Sequence, residues 1–128
     1  MLKHMRRRNG HELVEYAITL PLLLSLLFGI IDFAIIVFSY ETIENAVREG
    51  ARYGIVHPTD HTGIEAAARG LTTGLDQDAL SFTISYPGSN TIEVEATYDV
   101  QLSTGFIMEL FGGNPTLRLH AAAIMEIE

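Results

Sequence analysis

Two titratable groups stand out because of where they sit: Glu15 and Asp32, the acids of a 28-residue stretch from Leu13 to Tyr40 that carries no lysine, arginine or histidine. A carboxylate in such a run is costly in lipid unless it lies near the interface, becomes protonated or finds a cationic partner. The plain reading of Glu15 is an interfacial acid one turn inside the membrane edge. The sharper reading uses the residues before it. Lys3, Arg6, Arg7 and Arg8 form a basic leader ending in Asn9 and Gly10, and a cut after Gly10 would leave a new amine on His11. Glu15 would then be the fifth residue of the shortened chain and Tyr16 the sixth. Among staggered copies, that amine could meet the Glu15 of a neighbour, satisfying two charges that neither chain satisfies alone. Asp32 is read as interfacial rather than catalytic, because it lies roughly 28 Å along the helix axis from Leu13.

Other candidate chemistry is thin. His57, Asp60 and His61 invite a metal reading, but Pro58 and the turn around it spoil one-turn helical spacing and no third ligand stands nearby. The sequence has no cysteine, no G-x-S-x-G and no glycine-rich phosphate loop. No catalytic residue, metal or cofactor is therefore assigned. The formal net charge of −8 is uneven, with the basic leader at one end and acids through the rest. That distribution argues against nucleic acid as a partner.

The elements that must position these groups begin with the apolar run. As a helix it spans about 42 Å, against about 30 Å of bilayer hydrocarbon, so it is long enough to cross. The basic leader before it favours a cytoplasmic N-terminus and a head on the far side of a cytoplasmic membrane. A cleaved secretory signal competes poorly, since the run is too long and no small-x-small pattern closes it. Pro21 inside the run marks either an ordinary kink or a place that unwinds during assembly.

Beyond Tyr40 the helix should continue to Gly54. There Ile43, Ala46, Val47, Gly50, Ala51 and Gly54 recur at helical spacing and form a narrow face of small side chains. Ala46, Gly50, Ala51 and Gly54 are the candidates for close helix-to-head packing. Pro58 ends the helix, and Thr62 with Glu65 has the form of a capping box opening a second helix that runs to about Leu71.

Residues 80–86 and 92–100 alternate apolar with polar across a Pro87–Asn90 turn, the pattern of a β-hairpin with one buried and one acidic face. Residues 117–127 alternate again and should add a third strand. Between them, Phe106, Ile107, Leu110 and Phe111 fit a short helical turn that either closes the bottom of the core or projects toward a neighbour; the core is the expected place. The fold class is thus α+β, with residues 1–10 an unstructured, removable leader. Residues 11–54 form the N-terminal helix, transmembrane over about 13–40, and 55–128 form a small head with a short helix and a three-stranded antiparallel sheet.

Several of these segments resemble a known family. GHELVEYA looks like the prepilin-peptidase site of Flp-class type IVb pilins, in which a glycine is followed by four residues and then Glu-Tyr. YAITLPLLLSLLFGIIDFA, NAVREGARYG from Asn45 to Gly54 and the terminal LHAAAIMEIE resemble the TadE-like proteins of tight-adherence pilus systems. The resemblance implies a pilin-like subunit or minor pseudopilin with a lollipop shape. It would be cut between Gly10 and His11 by prepilin peptidase, with Glu15 and Tyr16 at the assembly end. It also implies other pilin subunits as partners through helix packing, with the assembly platform and ATPase acting indirectly, and a surface pilus as the destination if assembled. Its departure from the pattern is His11, a titratable residue just after the presumed cut. Beside the pilin reading stand a permanent single-pass anchor whose head binds other envelope components, and an enzyme, which the missing motifs disfavour.

Overall fold

The structure is a computed structural model that describes the backbone of residues 2–128 and the side chains of residues 9–128. Its first element, α1, is one helix from Leu2 to Val56. The stretch before Gly10, expected to be unstructured, continues the helix from Leu2 on, while the basic side chains of the leader lie outside the described residues. The helix also runs through Pro21. Proline has no N–H, so the carbonyl of Ala17 loses its helical partner; one turn further on, the Ser25 hydroxyl donates back to the Pro21 carbonyl at 2.8 Å.

A turn at Pro58 leads to α2, His61–Arg69. Its N-cap is Asp60, not the Thr62 of the expected capping box: Asp60 Oδ1 accepts from the Gly63 N–H at 3.0 Å. Asp60 wins because it has a second partner, the Tyr53 hydroxyl of α1, which donates to Oδ2 at 2.9 Å. The cap thereby ties the two helices together, and α2 stops at Arg69, short of Leu71.

A short 3-10 turn, Gln77–Ala79, precedes β1 (Leu80–Gly88), β2 (Thr91–Gln101), α3 (Gly105–Leu110) and β3 (Thr116–Glu126). The strands form an antiparallel sheet in the order β1-β2-β3, with Leu80 opposite Tyr98 and Ala96 opposite Ala121. The β1–β2 register slips between Ser85 and Gly88, where Pro87 has no N–H to give the ladder.

The inner face of the sheet lies along the outer half of α1, with α2 wedged beside it. The core is Ile43, Val47 and Ala51 from α1, Ile64 from α2, and Ile92, Val94 and Ala96 from β2, all without accessible surface. The other face of the sheet is open. It carries the acidic row, in which Asp99 pairs with Arg118 at 2.9 Å, and it leaves Ile124 exposed.

Of the apolar segment expected in the core, Ile107 is half-buried and the other three residues lie outside it. In α3 and its end, Phe106, Leu110 and Phe111 are 65%, 82% and 84% exposed. The inner face of the sheet is taken up by α1 and α2, whose Ile43, Val47, Ala51 and Ile64 pack against the strands' side chains. Gly112, at φ +77°, ends α3 in the left-handed conformation that glycine adopts without a Cβ penalty.

Candidate assembly helix and its junction with the head

Between Leu13 and Ile31, α1 is apolar on nearly every side and covered on none. From Leu13 to Ile31 all the leucines, isoleucines and the one phenylalanine are exposed, and so is Glu15. A soluble helix buries one stripe, whereas a helix apolar all round suits lipid or the interior of a bundle. Gly10 and His11 are consecutive exposed residues of this helix. Glu15 lies one turn beyond His11, and Glu12, Glu15, Tyr16 and Thr19 line one shallow groove on a single face. Among the described residues this groove holds the carboxylates of Glu12 and Glu15 and no cation.

At Asp32 the helix changes character. Asp32, Ser39, Ile43, Ala46, Val47, Gly50, Ala51 and Gly54 are buried and Ile36 partly so, a stripe advancing by three or four residues along one face. The small residues in it set the distance of approach. A Cβ on Gly54 would fall 2.4 Å from Ile92 Cδ1 and 3.2 Å from Ile64 Cδ1. One on Gly50 would lie 3.2 Å from Ala68 Cβ and 3.3 Å from the Ile64 carbonyl. The head rides on this stripe.

Asp32 is the residue whose work the sequence reading missed. It is 5% exposed, and its carboxylate accepts three hydrogen bonds from the segment that opens α3. Ser103 N–H donates to Oδ1 at 2.7 Å, while Thr104 N–H at 3.0 Å and the Thr104 hydroxyl at 2.6 Å both donate to Oδ2. A buried carboxylate is tolerable only with such partners. Its signal was in the spacing: Asp32 extends the Ile36, Ser39, Ile43 stripe by one turn. The partners were invisible, being two backbone amides and a threonine hydroxyl about seventy residues away in a loop.

The titratable cluster near Pro58 resolves into structural contacts. His57 stacks on Tyr53 at 4.6 Å, Tyr86 donates to the Pro58 carbonyl, and His61 Nε2 lies 3.0 Å from the Tyr86 hydroxyl. The Gly63 N–H and then the Tyr53 hydroxyl hold the Asp60 carboxyl below its ordinary range. The same bond to Asp60 pushes the Tyr53 phenol up.

An uncovered apolar half-helix joined to an α+β head through a buried stripe defines a lollipop-shaped protein whose stem is compatible with single-pass membrane anchoring. Residues 12–52, spanning Glu15, Tyr16, Asp32 and most of the buried stripe, match the family model described as TadE-like protein, the family that the sequence resembles and one associated with pili. Gly10, His11 and Gly54 lie just outside the matched stretch. Neither the curated proteins nor the solved structures yielded a match.

Proposed function

We propose that this chain is a structural pilin-like subunit or minor pseudopilin of a tight-adherence pilus. It is held in the cytoplasmic membrane by α1, with the N-terminus in the cytoplasm and the head outside. Prepilin peptidase cuts it after Gly10, and it then enters a fibre through helix packing. The supporting observation is the uncovered stretch of α1 from Leu13 to Ile31, apolar nearly all round, with the exposed carboxylates of Glu12 and Glu15 at its start. Leaving lipid for a bundle of like helices keeps that surface out of water at both stages, so extraction does not expose it. The Glu15 carboxylate, next to Tyr16, neutralises the new amine of a neighbouring copy and fixes the stagger between them. The assembly platform and ATPase supply the work of extraction without touching the head chemistry.

One observation favours a second reading, a permanent anchor whose head binds other pilus components without entering a fibre. The helix runs unbroken across Gly10 and His11, and a peptide bond inside a helix must unwind before a peptidase can attack it. Comparing the chain with its Glu15→Ala variant, in sheared fibres and in membranes, separates the cases. The pilin reading expects the unaltered chain in the fibres and the variant only in the membrane. Equal incorporation of the variant removes the charge pair, and absence of both from fibres leaves the permanent anchor.

A further inference from the structure

We propose that α3 is an interfacial foot: Phe106, Leu110 and Phe111 sink into the surface of the bilayer that α1 crosses, on the side that carries the head. The inference rests on the membrane-held state proposed above. The geometry starts with β2, which runs back down α1. Ile92 lies against Gly54 and Val94 against Gly50, while Val100 shares a depression with Ile35. The link from β2 to β3 is thereby delivered to the end of the head where the uncovered half of α1 begins. Asp32 then fastens that link to the helix with three hydrogen bonds, which fixes the height of α3 along the stem.

That height coincides with a membrane boundary. The 19 residues from Leu13 to Ile31, mostly apolar with Glu15 near the start, make roughly 28 Å of helix, against about 30 Å of hydrocarbon. Asp32 and Thr104 therefore sit where the hydrocarbon ends. On this placement the hydrocarbon ends inside the 13–40 expected from hydropathy: beyond Ile31, Asp32, Ile36 and Ser39 face the head, while Phe33, Val37 and Phe38 stay exposed. At this level Phe106 and Leu110, one turn apart on α3, and the adjoining Phe111 present largely exposed apolar side chains to the surroundings. Short apolar segments parallel to the membrane bind by burying such side chains at the headgroup boundary. The foot would hold the head upright against the membrane and would be lifted clear on extraction.

The chain has no tryptophan, so single substitutions in the full-length protein serve as reporters in zwitterionic vesicles with and without brominated acyl chains. Phe111→Trp reads the foot, Leu22→Trp the span, and Val56→Trp the far end of the head. All three positions are exposed, so the variants should fold. The expected result is blue-shifted emission from positions 22 and 111, most of it lost to bromine, with position 56 unquenched. Water-like, unquenched emission from position 111 beside a quenched position 22 overturns the foot and leaves the anchor standing. Unquenched emission from both overturns foot and anchor together. A blue shift at 111 that ignores bromine and grows as copies crowd the vesicle assigns the patch to a second copy instead. Equal quenching at 56 and 111 means that the whole head lies on the membrane, and the assignment to α3 fails.

Discussion

The two parts of α1 that meet at Asp32 are one continuous helix with two different surfaces. From Leu13 to Ile31 the side chains are mostly large, aliphatic and exposed all round; from Asp32 on, one buried stripe of mainly small or β-branched residues appears, with Phe33, Val37 and Phe38 and then Glu41, Glu49 and Arg52 on the exposed side. Helical propensity does not distinguish the halves. What distinguishes them is what each surface can be placed against: lipid or other helices for the first, a sheet and a second helix for the second. A helix apolar all round has no internal instruction about its neighbour, whereas the stripe specifies one through the volume of each side chain.

The contrast is tested most strongly by matched truncations. Ile92→Ala, which empties a fully buried site against Gly54, should cost the head about 2–5 kcal/mol. Leu22→Ala in the free half should leave the head within about 0.5 kcal/mol. Thermal unfolding in detergent, followed by circular dichroism, measures both; equal losses would mean that the halves are not separate in energy.

A matched pair of glycines sharpens the point. Gly54→Val forces a side chain into the space of Ile92 and Ile64 and should destabilise by about 1–3 kcal/mol. Gly29→Val meets nothing within 4 Å and should be close to neutral in the same melt. A harmless Gly54→Val would show that the head does not need its close approach.

At the boundary between the halves, Asp32→Ala leaves the amides of Ser103 and Thr104 without their acceptor, a loss of about 1–3 kcal/mol. The clearest reading is hydrogen exchange, which should quicken at residues 103–111 while β2 stays protected. Uniform protection would mean that the loop holds its place without Asp32.

The smallest effect is expected at the far end of the head. Since the Asp60 carboxyl is held low in the folded state, its contribution is complete above the unfolded value near pH 4 and is lost as pH falls through the lowered folded value. Asp60→Asn keeps an N-cap acceptor but no titrating carboxylate. The difference between its stability curve and that of the unaltered chain should therefore be flat above about pH 4 and shrink below it; a difference that does not change with pH would detach the cap from titration.

Much of this architecture was legible because period carries it. The alternation in residues 80–100 and 117–127 encodes the strands, and the small-residue face from Ile43 to Gly54 marks the surface that meets them. Three features were not legible, each for a physical reason. Asp32 works on backbone amides distant in sequence, and local pattern is blind to such partners. Asp60 and Thr62 both qualify as caps, and only Tyr53, folded back from α1, decides between them. Phe106, Leu110 and Phe111 are as apolar as core residues, but composition does not say whether a core has room for them. At the N-terminal site, the spacing from Gly10 to Glu15 and Tyr16 is plain in the sequence, while its use depends on enzymes and neighbours outside the chain.

The most direct test of the pilin-like route is the intact mass of the chain from cells with and without prepilin peptidase. A chain that loses residues 1–10 only when the peptidase is present is the expected result. The full-length mass in both cells would contradict it and leave α1 as a permanent anchor.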